Sequence, residues 1–296
     1  MADPDVERVA RFLATHALVL LGLAILAAVA SIAAIVWATR LAIRCRPWAH
    51  RSLTTLADRV HQIEWVRRAI GRVHNVVPSA YLALHLVLGL LVAVAVAVFA
   101  ALAEEVLAAG EVAAFDLAFA RALHDTRSAD WTRAFSVVSW FGTREALTIA
   151  TAAVAVALLF QRQMLLTVGW LGAQAGGGLL NRALKEAFER TRPEFADPVL
   201  AASSWSFPSG HAMGTFILCG VGCYLLLRGR RSWTTATVAI TVSASWCAVM
   251  AFSRLYLGVH YASDVIAGLL AGVAWVAVCV SALEVLRRRA GGGRRV

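Results

Sequence analysis

The sequence predicts an all-α integral membrane protein: a six-helix core preceded by one extra N-terminal transmembrane helix. Three observations carry that prediction. Of 296 residues, 60% are hydrophobic and only 16% charged, with a mean hydropathy of +0.70, whereas a soluble domain carries charge on about a quarter of its residues. Apolar runs recur at Ala17–Ala38, Tyr81–Ala103, Ala146–Phe160, Met164–Leu180, Ala212–Leu227, Trp233–Phe252 and Val265–Leu283, and a helix of about 20 apolar residues crosses a hydrocarbon core of about 30 Å. Alternate connections between the runs are rich in arginine.

In chain order, residues 1–40 form the N-terminal anchor. Ala28-Val29-Ala30 resembles a signal-cleavage site, but the apolar run continues to Ala38 and ends in a dense arginine cluster, the pattern of a retained stop-transfer segment. Residues 41–79 follow as a cytoplasmic segment. There Leu53, Leu56, Val60, Ile63, Val66, Ile70 and Val73 recur at steps of three and four, with Arg51, Arg59, Arg67, Arg68 and Arg72 between them. That spacing predicts an amphipathic helix on the inner membrane surface.

The core spans 80–286. Within it Val112, Phe115, Phe119 and Leu123 share one helical face, with Asp116 and Arg121 on others, which predicts a second surface helix. Trp131, Trp140 and Trp205 at one boundary, and Trp37, Trp48 and Trp233 at the other, match the aromatic belts of a bilayer. Residues 287–296 are a basic cytoplasmic tail. His85 stands alone in its run and reads as a packing or hydrogen-bonding residue rather than a proton relay. The five cysteines (Cys45, Cys219, Cys223, Cys247 and Cys279) have neither metal-ligand nor disulfide spacing and read as small packing residues.

The net charge of +10 does not point to nucleic acid, because its distribution follows the connections. Eight arginines between Arg40 and Arg72 face only Asp58 and Glu64; Arg162 follows the third run, Arg228, Arg230 and Arg231 fill one turn, and five arginines close the chain. The positive-inside rule then places these inside and the Glu104–Glu145, Arg182–Gly210 and Arg254–Asp264 segments outside. Anionic inner-leaflet lipid is the partner of the basic charge.

Three outer segments carry chemistry. Lys185, the only lysine in the chain, precedes Arg192 and Pro193; on a continuous helix Lys185 and Arg192 would share a side, with Pro193 ending it. Pro208-Ser209-Gly210-His211 opens the fifth run. Free N–H groups at a helix start hold anions, Gly210 lets the backbone approach a ligand, the Ser209 hydroxyl adds a donor, and His211 can protonate a leaving oxygen. Ser253-Arg254 closes the sixth run, followed by His260 and Asp264 one helical turn apart. A carboxylate on one ring nitrogen leaves the other free as base or nucleophile. Taken singly, these are a capped helix start, snorkelling cations and an incidental pair. Their common side of the membrane makes them one phosphate-handling site, with three fixed cations to meet charge on phosphoryl oxygens. No acidic cluster stands beside them to hold Mg²⁺ or Zn²⁺.

K-x6-R-P (Lys185–Pro193), P-S-G-H (Pro208–His211) and S-R-x5-H-x3-D (Ser253–Asp264) resemble the three signature motifs of the type 2 phosphatidic acid phosphatase superfamily, which includes membrane lipid phosphatases and vanadium-dependent haloperoxidases. The resemblance covers about residues 81–286. It implies His260 as a nucleophile forming a phosphohistidine, Asp264 as its orienting partner and His211 as the general acid. It also implies Lys185, Arg192, Ser209, Gly210 and Arg254 as ligands of the phosphate oxygens. Spacing alone leaves open which histidine attacks and favours His260 only through Asp264.

The expected function is a metal- and cofactor-free hydrolase that removes phosphate from a lipid phosphate or polyprenyl pyrophosphate, phosphatidic acid and phosphatidylglycerophosphate included. It acts at the extracytoplasmic face of a bacterial inner membrane; an arginine-rich, lysine-poor chain fits a bacterial source with GC-rich coding. A phosphotransferase with a lipid or sugar acceptor is the alternative within the class. A haloperoxidase of this family would be soluble. A transporter places its ionisable groups near mid-membrane, and a retinal protein needs a lysine inside its last span. The sequence sets neither the oligomeric state nor the role of the N-terminal segments.

Overall fold

A computed structural model describes residues 4–27, 29–30, 37, 79–195, 204–229 and 232–292. The amphipathic segment expected over Leu53–Val73, the end of the first run and Cys45 lie outside the described residues.

Helix α1 (Pro4–Thr15) bends by 74° into α2 (Ala17–Ala27). Then come α3 (Ser79–Leu107), α4 (Glu111–Asp125), α5 (Ala129–Trp140), α6 (Arg144–Phe160), α7 (Met164–Phe188), α8 (Gly210–Leu227), α9 (Trp233–Tyr256) and α10 (Ala262–Gly292). Side-chain caps start three of them: Ser128, Thr143 and Ser232 accept from Trp131, Ala146 and Thr235 amides, which satisfies N–H groups that a helix start leaves unpaired.

Each apolar run of the core forms a helix. Among the described residues α3, α8, α9 and α10 are long and apolar enough to span a membrane alone, and the bent pairs α1–α2 and α5–α6 raise the number to six. The run in α7, expected to span from its sequence, is diluted by three consecutive glycines and Gln174, and α7 falls outside that set. Two helices, α1 and α5, have no counterpart among the sequence expectations, since neither is an apolar run.

α7, α8 and α10 enclose the main core, in which Trp170, Ala173, Met213, Ile217, Val221 and Ala271 are buried. Small residues permit the close approach: a Cβ on Gly176 would meet Trp275 at 2.5 Å and one on Gly177 would meet Ile217 at 2.4 Å. Leu86, Leu90, Ile149, Val168, Leu179 and Val242 point outward and exposed, as a surface solvated by lipid requires. His85 bonds the Tyr81 carbonyl of its own helix at 2.9 Å. Cys219, Cys223, Cys247 and Cys279 are unpaired thiols.

α3 and α10 run antiparallel: Ala103 packs with Ala267 near one end, and Arg288 lies over the Tyr81 ring near the other. The ends of α7 and α9 and the starts of α8 and α10 gather at the Ala103 end. At the opposite end Arg228 donates to Gln163, and Arg287 to Glu284 at 2.8 Å.

Candidate active site

His260 lies in the tight turn between α9 and α10 and is 2% exposed. Its Nδ1 stands 3.3 Å from Asp264 Oδ2 and 3.3 Å from Ser206 Oγ, whose hydroxyl also donates to that carboxylate. Arg192 Nη1 donates toward Nε2 at 3.2 Å, so the ring carries its proton on Nδ1 and presents a lone pair on Nε2. Burial lowers the His260 pKa to about 3; Asp264 works against that, while Arg192 and Arg254 add to it. The imidazole is therefore neutral at physiological pH, the state in which it can attack.

Arg192 reaches the ring from an irregular strand of chain, not from a helix. α7 stops at Phe188 because Glu189 takes a left-handed conformation at φ 43°, so Lys185 and Arg192 do not share a continuous helix as the spacing suggested. They converge nevertheless on the segment before α8. Lys185 Nζ donates to the Trp205 carbonyl; Arg192 donates to that carbonyl at 3.3 Å and to Ser204 O at 2.8 Å. Ser206 N returns a bond to Arg190 O at 2.7 Å.

Ser209 caps α8 with its backbone, and its amide donates to Asp264 O at 2.8 Å. Among the described residues Ser209 Oγ, His211 Nε2 and Arg254 Nε are buried without a hydrogen-bond partner. Buried polar atoms are rarely left so; an anion seated at the start of α8 would bond them. Arg254, 5% exposed, is aimed by Ser139 of α5, which accepts from its Nη1. The charges of Arg254, Arg192 and Lys185 and the His260 ring all bear on His211. All eight sequence-derived site residues thus gather at one end of the bundle.

Five contributors escaped the sequence reading. Ser206 and Ser139 have no local signal. Arg190 lies two residues before Arg192 without a motif of its own, and the spacing predicts Asp116 off the apolar face of its helix. Asp116 is instead 1% exposed and pairs with Arg190 at 2.8 Å, while Arg190 also holds Asp264 at 2.6 Å. The reason is that α4 is covered on more than one side, by α1 and by the start of α10. Burial raises the Asp116 carboxyl above the usual carboxylate value, against hydrogen bonds from Ser263 and Arg190 that lower it.

Gly268, the fifth, lies one turn beyond Asp264. A Cβ there would come within 2.6 Å of Ser209 O. Gly268→Ala should push the start of α8 away from His260. The expected loss in turnover is about 10²-fold, since a displacement of about 1 Å costs that much. Steady-state assay beside an unchanged far-UV circular dichroism spectrum checks it.

Residues 165–288 match the family model described as the PAP2 superfamily. Phosphatidylglycerophosphatase B of Bacillus subtilis (strain 168) is 41% identical over 96 residues, covering 32% of this chain and 47% of the relative. Lipid A 1-phosphatase of Rhizobium johnstonii is 36% identical over 124 residues, covering 37% of this chain and 46% of the relative. The chain thus spans about half the length of these two relatives. The crystal structure of a transmembrane PAP2-type phosphatidylglycerolphosphate phosphatase from Bacillus subtilis superposes with a TM-score of 0.60 at 25% identity, covering 67% of this chain and 96% of that one.

Proposed function

We propose, from the match of residues 165–288 to the PAP2 superfamily model, that this chain is a membrane lipid phosphatase that works through a phosphohistidine on His260. The observation that carries the reading is the His260 ring, tied to Asp264 at Nδ1 and offering Nε2 among Arg192, Arg254 and Lys185.

In the first step the Nε2 lone pair attacks phosphorus in line with the bond to the leaving oxygen. The P–N bond forms, the P–O bond breaks, and His211 gives its proton to the departing oxygen. The two negative charges of a phosphate offset the surrounding cations and let His211 hold that proton. Asp264 steadies the imidazolium that forms. Lys185, Arg192, Arg254 and the start of α8, with Ser209 and Gly210, take up the charge on the equatorial oxygens. In the second step His211 accepts a proton from water, which attacks phosphorus, releases inorganic phosphate and restores His260.

An apolar groove of ≈ 630 Å³ between α3 and the end of α7, lined by Phe99, Ala103, Leu107 and Phe188 among others, supports a lipid substrate. Phe188 packs on Phe207, the residue between Ser206 and Pro208 of the site. The groove gives an acyl or prenyl chain a place beside the cradle. The arginine-rich helix ends lie opposite the site, which supports an extracytoplasmic active face.

Purified chain should release inorganic phosphate from at least one of phosphatidylglycerophosphate, phosphatidic acid and polyprenyl pyrophosphate. Turnover should persist in EDTA, because cations of the chain itself meet the phosphate charge, and should fall with vanadate, a mimic of five-coordinate phosphorus. EDTA inhibition reversed by Mg²⁺ would refute the metal-free route, and label passed to an acceptor lipid would make the enzyme a phosphotransferase.

A further inference from the structure

The orienting carboxylate of Asp264 has two oxygens with different duties. Oδ2 serves the reaction: it faces His260 Nδ1 at 3.3 Å and accepts from Ser206 and from Tyr261 N at 2.8 Å. Oδ1 faces away from the ring and accepts from Arg190 Nη1 at 2.6 Å. Arg190 is fixed on every side. Nη1 also donates to Ser263 Oγ at 2.7 Å, Nη2 to Asp116 Oδ2 at 2.8 Å, and its Cζ lies over the Tyr261 ring, 4.3 Å from the centroid. Burial works against the guanidinium's charge, but Asp264 and Asp116 outweigh it and raise its pKa above the ordinary arginine value.

Asp116 completes the chain from the far side. Its Oδ1 accepts from Ser263 N at 3.0 Å and its Oδ2 from the Ser263 hydroxyl, so it holds the first turn of α10 one residue before Asp264. Behind it, α4 is backed by α1 and α2, whose Ala14 and Ala17 share a core with Leu123.

We propose that Arg190 and Asp116 are positioning residues: they clamp the Asp264 carboxylate, and through it the His260 ring, to helix α4. The proposal rests on His260 being the nucleophile. Its physical basis is competition for charge. Asp264 lies within the field of Lys185 and Arg192, the cations that must receive phosphate. A carboxylate freed from Arg190 would turn toward them, neutralise the cradle and let the imidazole tilt. Arg190 supplies a cation of its own on the side away from substrate, and Asp116 keeps that cation in place.

The test is a double-mutant cycle on the full chain, with a lipid phosphate that the wild type hydrolyses. Arg190→Gln should lower kcat by about 10²-fold, the cost of a misplaced reacting group, with a smaller rise in KM as the cradle loses charge. Arg190→Lys should recover part of it. Asp116→Asn should lose about 10-fold, and Asp116→Asn with Arg190→Gln should be no worse than Arg190→Gln alone, because both act along one chain. Losses that multiply in the double variant, a defect confined to KM, or full kcat in Arg190→Gln each overturn the clamp. If Arg190→Gln does not fold, wild-type kcat in both Arg190→Lys and the isosteric Asp116→Asn overturns it as well. His260→Ala separates the two levels. Retained turnover there removes the nucleophile and the clamp together; an inactive His260→Ala beside a full-speed Arg190→Gln removes the clamp alone.

Discussion

His260→Ala should leave no measurable turnover and no acid-labile phosphoenzyme. The ring is the group that presents an unprotonated nitrogen among the phosphate-binding cations, where it accepts from Arg192 alone among the described residues, with its other nitrogen engaged by Asp264 and Ser206. Removing a nucleophile costs on the order of 10⁶-fold in enzymes where the measurement exists. The rest of the site survives the change, because Asp264 keeps Arg190, the Tyr261 amide and Ser206. Rapid-quench labelling with a radioactive lipid phosphate is the decisive measurement; a labelled protein in the alanine variant would move the attack elsewhere.

The same burial sets a pH signature. Folded His260 protonates only near pH 3, whereas an unfolded histidine does so near about 6.5. Between those values the unfolded chain binds a proton that the folded chain does not, so this residue costs stability as the pH falls through that window. An acid limb in kcat/KM well above pH 3 belongs to another group, such as the substrate phosphate.

Arg254→Lys should keep the charge and still lose about 10²-fold in kcat, close to the loss of a charge-stabilising donor altogether. The guanidinium does two things at once. Nη1 is spent on Ser139 Oγ, which aims the group, and Nε is buried with no partner among the described residues, where it can donate to a phosphate oxygen. A lysine has one nitrogen and cannot satisfy both directions. Ser139→Ala should show a milder form of the same defect, loosening the aim without removing the donor. Wild-type kcat in Arg254→Lys would mean that charge alone matters at this position and that the contact with α5 is incidental.

The fold class was legible because it depends on quantities summed over long windows. Each apolar run of the core is a helix, and the arginine-rich ends collect opposite the site. Helix boundaries were less legible where composition and geometry diverge. α7 reads as a short span but runs on to Phe188, and it ends on a backbone twist at Glu189 that no residue preference announces. α1 and α5 were missed because their burial comes from partners rather than from a long apolar run of their own.

The candidate site divides along the same line. That Lys185, Arg192, Ser209, Gly210, His211, Arg254, His260 and Asp264 form one candidate group was readable because phosphoryl chemistry would demand particular side chains at short spacings, and those spacings survive in one dimension. Ser206, Asp116, Arg190, Ser139 and Gly268 act through contacts between segments far apart in the chain: Asp116 meets Arg190 across 74 residues, Ser139 meets Arg254 across 115 and Ser206 meets Asp264 across 58. A hydrogen bond reaches about 3 Å, so its existence depends on where two backbones are brought and not on what lies beside either residue in the sequence. Residue types and periodicity therefore determined the membrane bundle and its candidate reactive groups. Which serine shares the His260 carboxylate, and which cation holds that carboxylate from behind, was settled only by packing α4, α5 and α10 against one another.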